Sequence, residues 1–155
     1  MKQKLTILVG TMTGTAQLVA EEIEAHLSEK AIDVSTKLMD DLDHGIFAAG
    51  GHFIICTSTY GQGDVPDNAQ MLLESLKTAK PDLSNVIYGL FGLGDSTYTE
   101  TFGFGGKNFD LILSKLGAVR VGEYKLHDAN SNSLPEDEAL IWIDTWIDLL
   151  EKNPQ

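Results

Sequence analysis

The chain has 155 residues, of which 43% are hydrophobic, and a formal net charge of −12. This size and composition predict one globular domain, residues 1–155, with a sizeable core. No apolar run approaches the ~18 residues that span a bilayer, and the negative charge disfavours nucleic acid or an anionic membrane as partner. The first apolar run is also too short for a signal peptide. The single cysteine, Cys56, excludes an internal disulfide and fits a reducing, cytoplasmic setting.

Apolar runs alternate with segments of helical periodicity, which predicts an α/β fold with a parallel sheet and helices on both faces. Right-handed crossovers leave few topologies for such a chain. The doubly wound order 2-1-3-4-5 places the carboxyl ends of strands one, three and four side by side, where ligands bind. In chain order, the first predicted elements are a strand over 4–10, a helix over about 14–30, a strand over 32–38, a helical turn over 46–49 and a strand over 51–57. A helix N-capped by Asp64, with Pro66 in its first turn, follows, and then a strand over 86–92 and a Gly-rich loop over 102–106. The last predicted elements are a helix over about 107–116 ended by Gly117, a strand over 119–126, a polar loop over 127–133 and a helix opened by Pro135.

The loop after the first strand, Thr11-Met12-Thr13-Gly14-Thr15-Ala16, is rich in hydroxyl groups and has no Lys or Arg. A strand, a turn and a helix in this order place backbone N–H groups and a helix N-terminus against an anion. The turn lacks the lysine of a Walker loop, and no Gly-x-Gly-x-x-Gly dinucleotide fingerprint follows the strand. It therefore predicts a phosphate that is bound but not transferred. An ordinary Thr/Gly turn that caps a helix is the alternative.

The loops after the third and fourth strands each carry a tyrosine near glycines. Tyr60 precedes Gly61, and Tyr98 follows Gly94 and Asp95. Two tyrosines at neighbouring strand ends can hold a flat aromatic ligand between them, while the glycines let the backbone come close. Either tyrosine alone would be interpreted as a partly exposed loop residue. Together with the phosphate turn, the pair predicts one ligand site.

These loops resemble the three FMN-binding segments of the flavodoxin family. The similarity is greatest to the branch that contains the FMN domains of cytochrome P450 reductases and sulfite reductase flavoproteins and the small MioC-type flavodoxins. It covers residues 5 to about 150 and implies the flavodoxin-like, five-stranded doubly wound fold. The matching segments are Thr11-x-Thr13-Gly14-Thr15-Ala16, Ser58-Thr59-Tyr60-Gly61-x-Gly63-Asp64-x-Pro66-Asp67-Asn68 and Gly92-Leu93-Gly94-Asp95-Ser96-x-Tyr98.

The resemblance implies a non-covalently bound FMN, with its phosphate on residues 11–16 and its ring between Tyr60 and Tyr98. The peptide at Gly61 would flip to accept a hydrogen bond from flavin N5–H and so stabilise the neutral semiquinone. Asp128, near the end of the fifth strand, is a candidate for the flavin edge, with a solvated loop carboxylate as the alternative. The cofactor-binding candidates are Thr11, Met12, Thr13, Gly14, Thr15, Ala16, Ser58, Thr59, Tyr60, Gly61, Gly63, Leu93, Gly94, Asp95, Tyr98, Phe102 and Asp128.

The implied function is that of a one-electron carrier that uses the semiquinone/hydroquinone couple of FMN, with no catalytic residue of its own. The chain ends at Gln155 without the NADPH- and FAD-binding module of diflavin reductases. The expected donor is therefore a basic NAD(P)H-dependent flavodoxin or ferredoxin reductase, and the acceptor is an unidentified redox enzyme. A monomer is expected. In the alternative interpretation, the negative net charge only keeps the protein soluble.

Two other classes of protein remain as alternatives. One is an FMN-dependent NAD(P)H quinone or azo reductase, and the other is a flavin-free regulatory module on the same fold. The histidines have no metal-ligand spacing, so no metal site is predicted. Cys56, Trp142 and Trp146 are expected to pack in the core. The segment between Tyr98 and Lys107 departs from the reductase-type pattern by about one extra residue.

Overall fold

The computed structural model describes residues 4–11, 14–59, 65–97 and 102–152. Its strands are all parallel where paired, in the order β2-β1-β3-β4-β5, with β6 also paired to β4. The predicted doubly wound topology is therefore confirmed. The elements are β1 (Lys4–Gly10), α1 (Thr15–Ser28), β2 (Asp33–Leu38), a 3-10 turn (His44–Phe47), β3 (Gly51–Ser58), a second 3-10 turn (Asp67–Ala69), α2 (Gln70–Ala79), β4 (Val86–Gly94), α3 (Phe104–Lys115), β5 (Val119–Arg120), β6 (Lys125–Asp128) and α4 (Pro135–Lys152).

Each face of the sheet carries its own apolar cluster. Side chains alternate along a strand, so Ile54 packs on the face covered by α1 and α4, while Ile55 packs on the face covered by α2 and α3. Both isoleucines are fully buried, and burial of each stabilises the fold by about 1.5–3 kcal/mol. Because both faces are covered, the central strands are continuous apolar runs. Within the described ranges, no helix is both long enough and apolar enough to cross a membrane.

The start of α3 differs from the sequence prediction. The helix begins at Phe104 rather than near Lys107, so Gly105 and Gly106 are helical rather than part of a loop. Gly103 precedes it in the left-handed region, with a φ of 78°. A Cβ atom at Gly105 would overlap the carbonyl oxygen of Ser58. These glycines therefore allow close packing of the helix against the end of β3, a role that a Gly-rich run does not reveal by itself.

The predicted fifth strand is interrupted. It forms two short strands, β5 and β6, which pair with successive parts of β4. The break lies at Gly122, whose φ is +74°, and the Trp146 indole donates a hydrogen bond of 3.0 Å to the Val121 carbonyl there. His127 consequently belongs to a strand and not to the polar loop predicted over 127–133.

Other element boundaries differ by a few residues. The α1 helix starts at Thr15 because Gly14 is left-handed, and it ends at Ser28, before the left-handed Ala31. The α2 helix begins only at Gln70, so Pro66 precedes a 3-10 turn instead of lying in the first helical turn. The predicted Asp64 cap lies outside the described residues.

The predicted packing residues lie in the core. Trp142 and Trp146 stack with ring centroids 6.3 Å apart and are both buried. Cys56 is fully buried, and burial raises the pKa of its thiol to about 12. A thiol that is buried and protonated is poorly reactive, in agreement with the predicted structural role.

Candidate cofactor site

A cavity of about 480 Å³ opens at the carboxyl-terminal edge of the sheet. Part of its lining comes from the segments predicted after the first, third and fourth strands, and the rest runs from β6 to the start of α4. The sequence therefore predicted one part of the cavity lining and missed the other part. The predicted residues that line the cavity are Thr15, Ser58, Thr59, Leu93, Gly94 and Asp95, and the others are His127, Ala129, Ser131, Asn132, Ser133, Leu134 and Pro135.

The turn before α1 has the features of an anion-binding helix start. Gly14 takes the N-cap position with a φ of 93°, and a glycine has no side-chain oxygen to offer to the first turn. Thr11 Oγ1 accepts a hydrogen bond of 2.9 Å from Gly14 N–H and closes the turn. The first turn of α1 has no acidic residue. The positive end of the helix dipole thus lies beside Thr15, in the lining of the cavity.

Asn68 fixes this turn from the second 3-10 turn. Its Oδ1 accepts a hydrogen bond of 2.8 Å from Thr11 N–H. Its Nδ2 donates to the Val9 carbonyl at 3.3 Å and to Asp40 Oδ1 at 3.2 Å. Sequence reasoning included Asn68 in the second motif but did not assign it to the site. The hydrogen bond between Thr11 and Asn68 joins residues that are 57 positions apart in the chain.

Thr59 connects the second loop to both neighbouring elements. Its N–H donates to the Leu93 carbonyl at 3.1 Å, and its Oγ1 accepts from Gly105 N–H at 2.8 Å. The hydroxyl therefore caps the start of α3 while the residue lines the cavity. This arrangement sets the distance between the end of β3 and α3.

A polar cluster orders the start of the third loop. Asp95 Oδ1 accepts from Thr97 N–H and from the Asn130 side-chain amide, both at 2.8 Å. Asp128 Oδ1 accepts from Ser96 N–H at 3.0 Å and from Asn130 N–H at 2.9 Å. The Ser96 hydroxyl, followed by the Asn130 and Ser96 N–H groups, lowers the pKa of Asp128 below that of a free aspartate. The Asp128 carboxylate is thus ionised and engaged by the loop.

Two other predicted residues lie at the border of the site. Ala16 is fully buried in the core, so its side chain faces away from solvent. Phe102 is partly buried, and its ring lies so close to Gly94 that an added Cβ there would be 3.0 Å from Cδ1. The predictions for Met12, Thr13, Tyr60, Gly61, Gly63 and Tyr98 concern residues outside the described ranges.

His127 is a cavity residue that the sequence prediction missed. Its side chain is only about 5% exposed, and it is in register with Leu93 on β4. Its Nδ1 lies 3.2 Å from Glu138 Oε2 but makes no hydrogen bond within the described part of the chain. Among the same residues, no group of three His, Cys, Asp or Glu side chains could hold a metal ion. Besides Asp95 and His127, the polar side chains that line the cavity are those of Thr15, Ser58, Thr59, Ser131, Asn132 and Ser133, which carry hydroxyl or amide groups.

Together, the helix start, the hydroxyl turn and the cavity lie at the switch point of a doubly wound sheet, the place where folds of this class bind their ligands. Comparisons with known proteins specify the class further. A model of the flavodoxin family matches residues 7–142. The chain therefore belongs to the flavodoxin family. Membership of this family implies FMN as the cofactor and electron transfer as the role.

Individual relatives agree with this assignment. Flavodoxin YqcA of Escherichia coli strain K12 is 39% identical over 147 residues, which are 95% of this chain and 98% of that protein. The NADPH sulfite reductase flavoprotein alpha-component of Vibrio parahaemolyticus is 45% identical over 117 residues, 75% of this chain and 19% of that protein. The structure of a cysteine-to-alanine mutant of flavodoxin from Pseudomonas aeruginosa superposes with a TM-score of 0.85 at 30% identity, covering 96% of this chain and 99% of that one.

Proposed function

We propose that residues 1–155 form one FMN-binding domain whose cofactor occupies the cavity at the carboxyl ends of β3 and β4. The observation that carries the proposal is the cavity wall, where six residues predicted from three separate loops meet. FMN, when bound, supplies the capacity to accept and donate single electrons. The protein supplies the binding, the orientation and the electrostatic surroundings.

The phosphate end of the cofactor is proposed to lie on residues 11–16. Thr11 closes the turn, and Gly14 at the N-cap brings no side-chain oxygen to the start of α1. A ring of neutral hydroxyl and N–H donors suits a phosphate that is held and not transferred. Tyr60 and Tyr98 are proposed to flank the flavin ring, and the peptide at Gly61 to hydrogen bond its N5.

The ring and ribityl contacts are proposed to come mainly from backbone groups of residues 58–63 and 93–95. Ser58 and Leu93 are in register on neighbouring parallel strands, so their carboxyl ends present adjacent peptides to the cavity. Phe102 packs beside this edge, against Gly94. Asp128 is proposed to act near the flavin edge with its carboxylate ionised.

The chain is further proposed to be a cytoplasmic monomer that carries electrons but has no NAD(P)H oxidoreductase activity of its own. Its 23 acidic side chains against 11 Lys and Arg support a basic NAD(P)H-dependent reductase as donor. The acceptor is proposed to be another redox enzyme. A relative named as an NADPH sulfite reductase flavoprotein is consistent with reductase-linked electron transfer.

Mixing the FMN-loaded protein with NADPH under anaerobic conditions distinguishes a carrier from an enzyme. A carrier should keep its visible flavin absorption until a catalytic amount of a basic flavodoxin reductase is added, because a carrier takes its electrons from a partner protein and not from NADPH directly. The measurement is absorbance against time, with dithionite reduction as the control for an active flavin. Rapid bleaching by NADPH alone would instead favour the quinone or azo reductase alternative.

The net charge predicts a salt dependence of reduction by such a reductase. The second-order rate constant should fall as sodium chloride rises from low to high concentration, because ions screen the attraction between an acidic carrier and a basic partner. Stopped-flow measurement at several ionic strengths checks this prediction. Reduction by dithionite in the same salt series serves as the control, and a reductase rate constant that is independent of salt would argue against steering by charge.

A further inference from the structure

Tyr124 lies in the break between β5 and β6, outside the sequence motifs and outside the cavity lining. Three glycines make room for its side chain. A Cβ atom at Gly92 or Gly106 would overlap the Tyr124 hydroxyl, and one at Gly103 would lie 3.4 Å from it. The ring is thus enclosed between β4 and the start of α3.

The Tyr124 hydroxyl donates a hydrogen bond of 2.8 Å to the Gly103 carbonyl. Gly103 is the N-cap of α3, in the left-handed conformation, and is the point where the third loop rejoins the fold. Burial raises the pKa of Tyr124 above its ordinary value, so the hydroxyl keeps its proton and remains a donor. One side chain therefore fixes the last peptide of that loop.

The other end of the third loop is fixed from the same part of the sheet. Asp128 and Asn130 bind the backbone and side chains of residues 95–97. The segment from Tyr124 to Asn130 thus holds the loop at both of its ends. The start of α3 is also linked to the second loop, through the bond from Gly105 N–H to Thr59 Oγ1.

We propose that Tyr124 is a positioning residue for the cofactor, acting through Gly103 on the start of α3 and, through the bond from Gly105 N–H to Thr59, on the lining of the cavity. This inference rests on the proposed FMN site, because Thr59 lines the cavity in which that site is proposed. Tyr124 itself need not touch the flavin. By fixing the start of α3 in advance, Tyr124 lowers the ordering cost of binding and sets the surroundings of the flavin in each redox state.

The test compares Tyr124→Phe with Tyr88→Phe. Tyr88 is a matched control because its hydroxyl also bonds to α3, at 2.6 Å from Asp110 Oδ1, but about two helical turns beyond Gly103. Each variant loses one buried hydroxyl and keeps the ring. Fluorescence titration should show that Tyr124→Phe weakens FMN binding by about fivefold or more, whereas Tyr88→Phe changes it by less than about twofold.

Two further readouts separate positioning from general destabilisation. At full FMN saturation, the separation of the two one-electron potentials should change in Tyr124→Phe and remain at the wild-type value in Tyr88→Phe. In the apoprotein, the Gly105 amide should exchange hydrogen faster in Tyr124→Phe only. Equal affinities, potentials and exchange in the two variants would overturn the role of Tyr124 while leaving the proposed function intact. A wild-type chain that does not bind FMN would overturn the proposed function and, with it, the assignment.

Discussion

Replacing Gly105 with alanine is expected to weaken FMN binding by about tenfold or more, and to lower the free energy of unfolding by about 1–3 kcal/mol. The added Cβ would overlap the Ser58 carbonyl oxygen and lie 2.9 Å from Thr59 Oγ1. The Ser58 backbone belongs to a central strand and cannot move easily. The α3 helix must therefore shift away from β3, and the Thr59 hydroxyl loses its alignment with the helix start.

A matched control for this prediction is Leu111→Ala on the same helix. Leu111 is 60% exposed, so its truncation leaves both strand ends undisturbed. Fluorescence titration and urea unfolding of the apoprotein measure the two effects. Wild-type affinity in Gly105→Ala would show that the contact between α3 and the end of β3 does not shape the site.

Replacing Asn68 with alanine is expected to have the second largest effect. The change removes the acceptor of Thr11 N–H and one of two donors to the Val9 carbonyl, which keeps its bond of 2.9 Å from Met39 N–H. The expected cost in unfolding free energy is about 1–3 kcal/mol. Because the lost bonds hold the turn before α1, FMN affinity should also fall, by about tenfold.

Ser75→Ala provides the control for Asn68→Ala. Ser75 Oγ likewise accepts a hydrogen bond from a backbone N–H, that of His44, at 3.0 Å. It lies on α2 and is not among the residues that line the cavity. Both variants should be less stable than the wild type, but only Asn68→Ala should lose affinity for FMN. Equal losses of affinity would indicate that stability, and not the geometry of the turn, limits binding.

The sequence predicted the topology because the physical signals were local. Continuous apolar runs such as that around Ile54 identify strands covered on both faces, and periodicity identifies the helices between them. The order of the strands then followed from the handedness of the crossovers. The break at Gly122 was missed, because the tryptophan that bonds across it comes from a distant helix.

The loops proposed to form the site also carry local signals, since residue types and spacing reveal a hydroxyl turn or a tyrosine beside glycines. The supporting contacts were not predictable in this way. Asn68, Tyr124 and Asn130 each reach their partners across 21 to 57 positions of the chain. Gly105 was assigned to a loop because glycine is compatible with loops and with close helix packing alike. Only the short distance between α3 and Ser58 in the structure shows that Gly105 serves helix packing and not a loop.

Titration of the apoprotein with FMN, followed by stepwise reduction in the visible spectrum, tests the central claim most directly. We expect quenching of FMN fluorescence that saturates at one FMN per chain. We also expect a long-wavelength absorption band at the half-reduced stage, because a carrier of single electrons must stabilise that stage. A chain that leaves FMN fluorescence unchanged, or that passes from oxidised to fully reduced flavin without such a band, would contradict the assignment of this protein as a one-electron carrier.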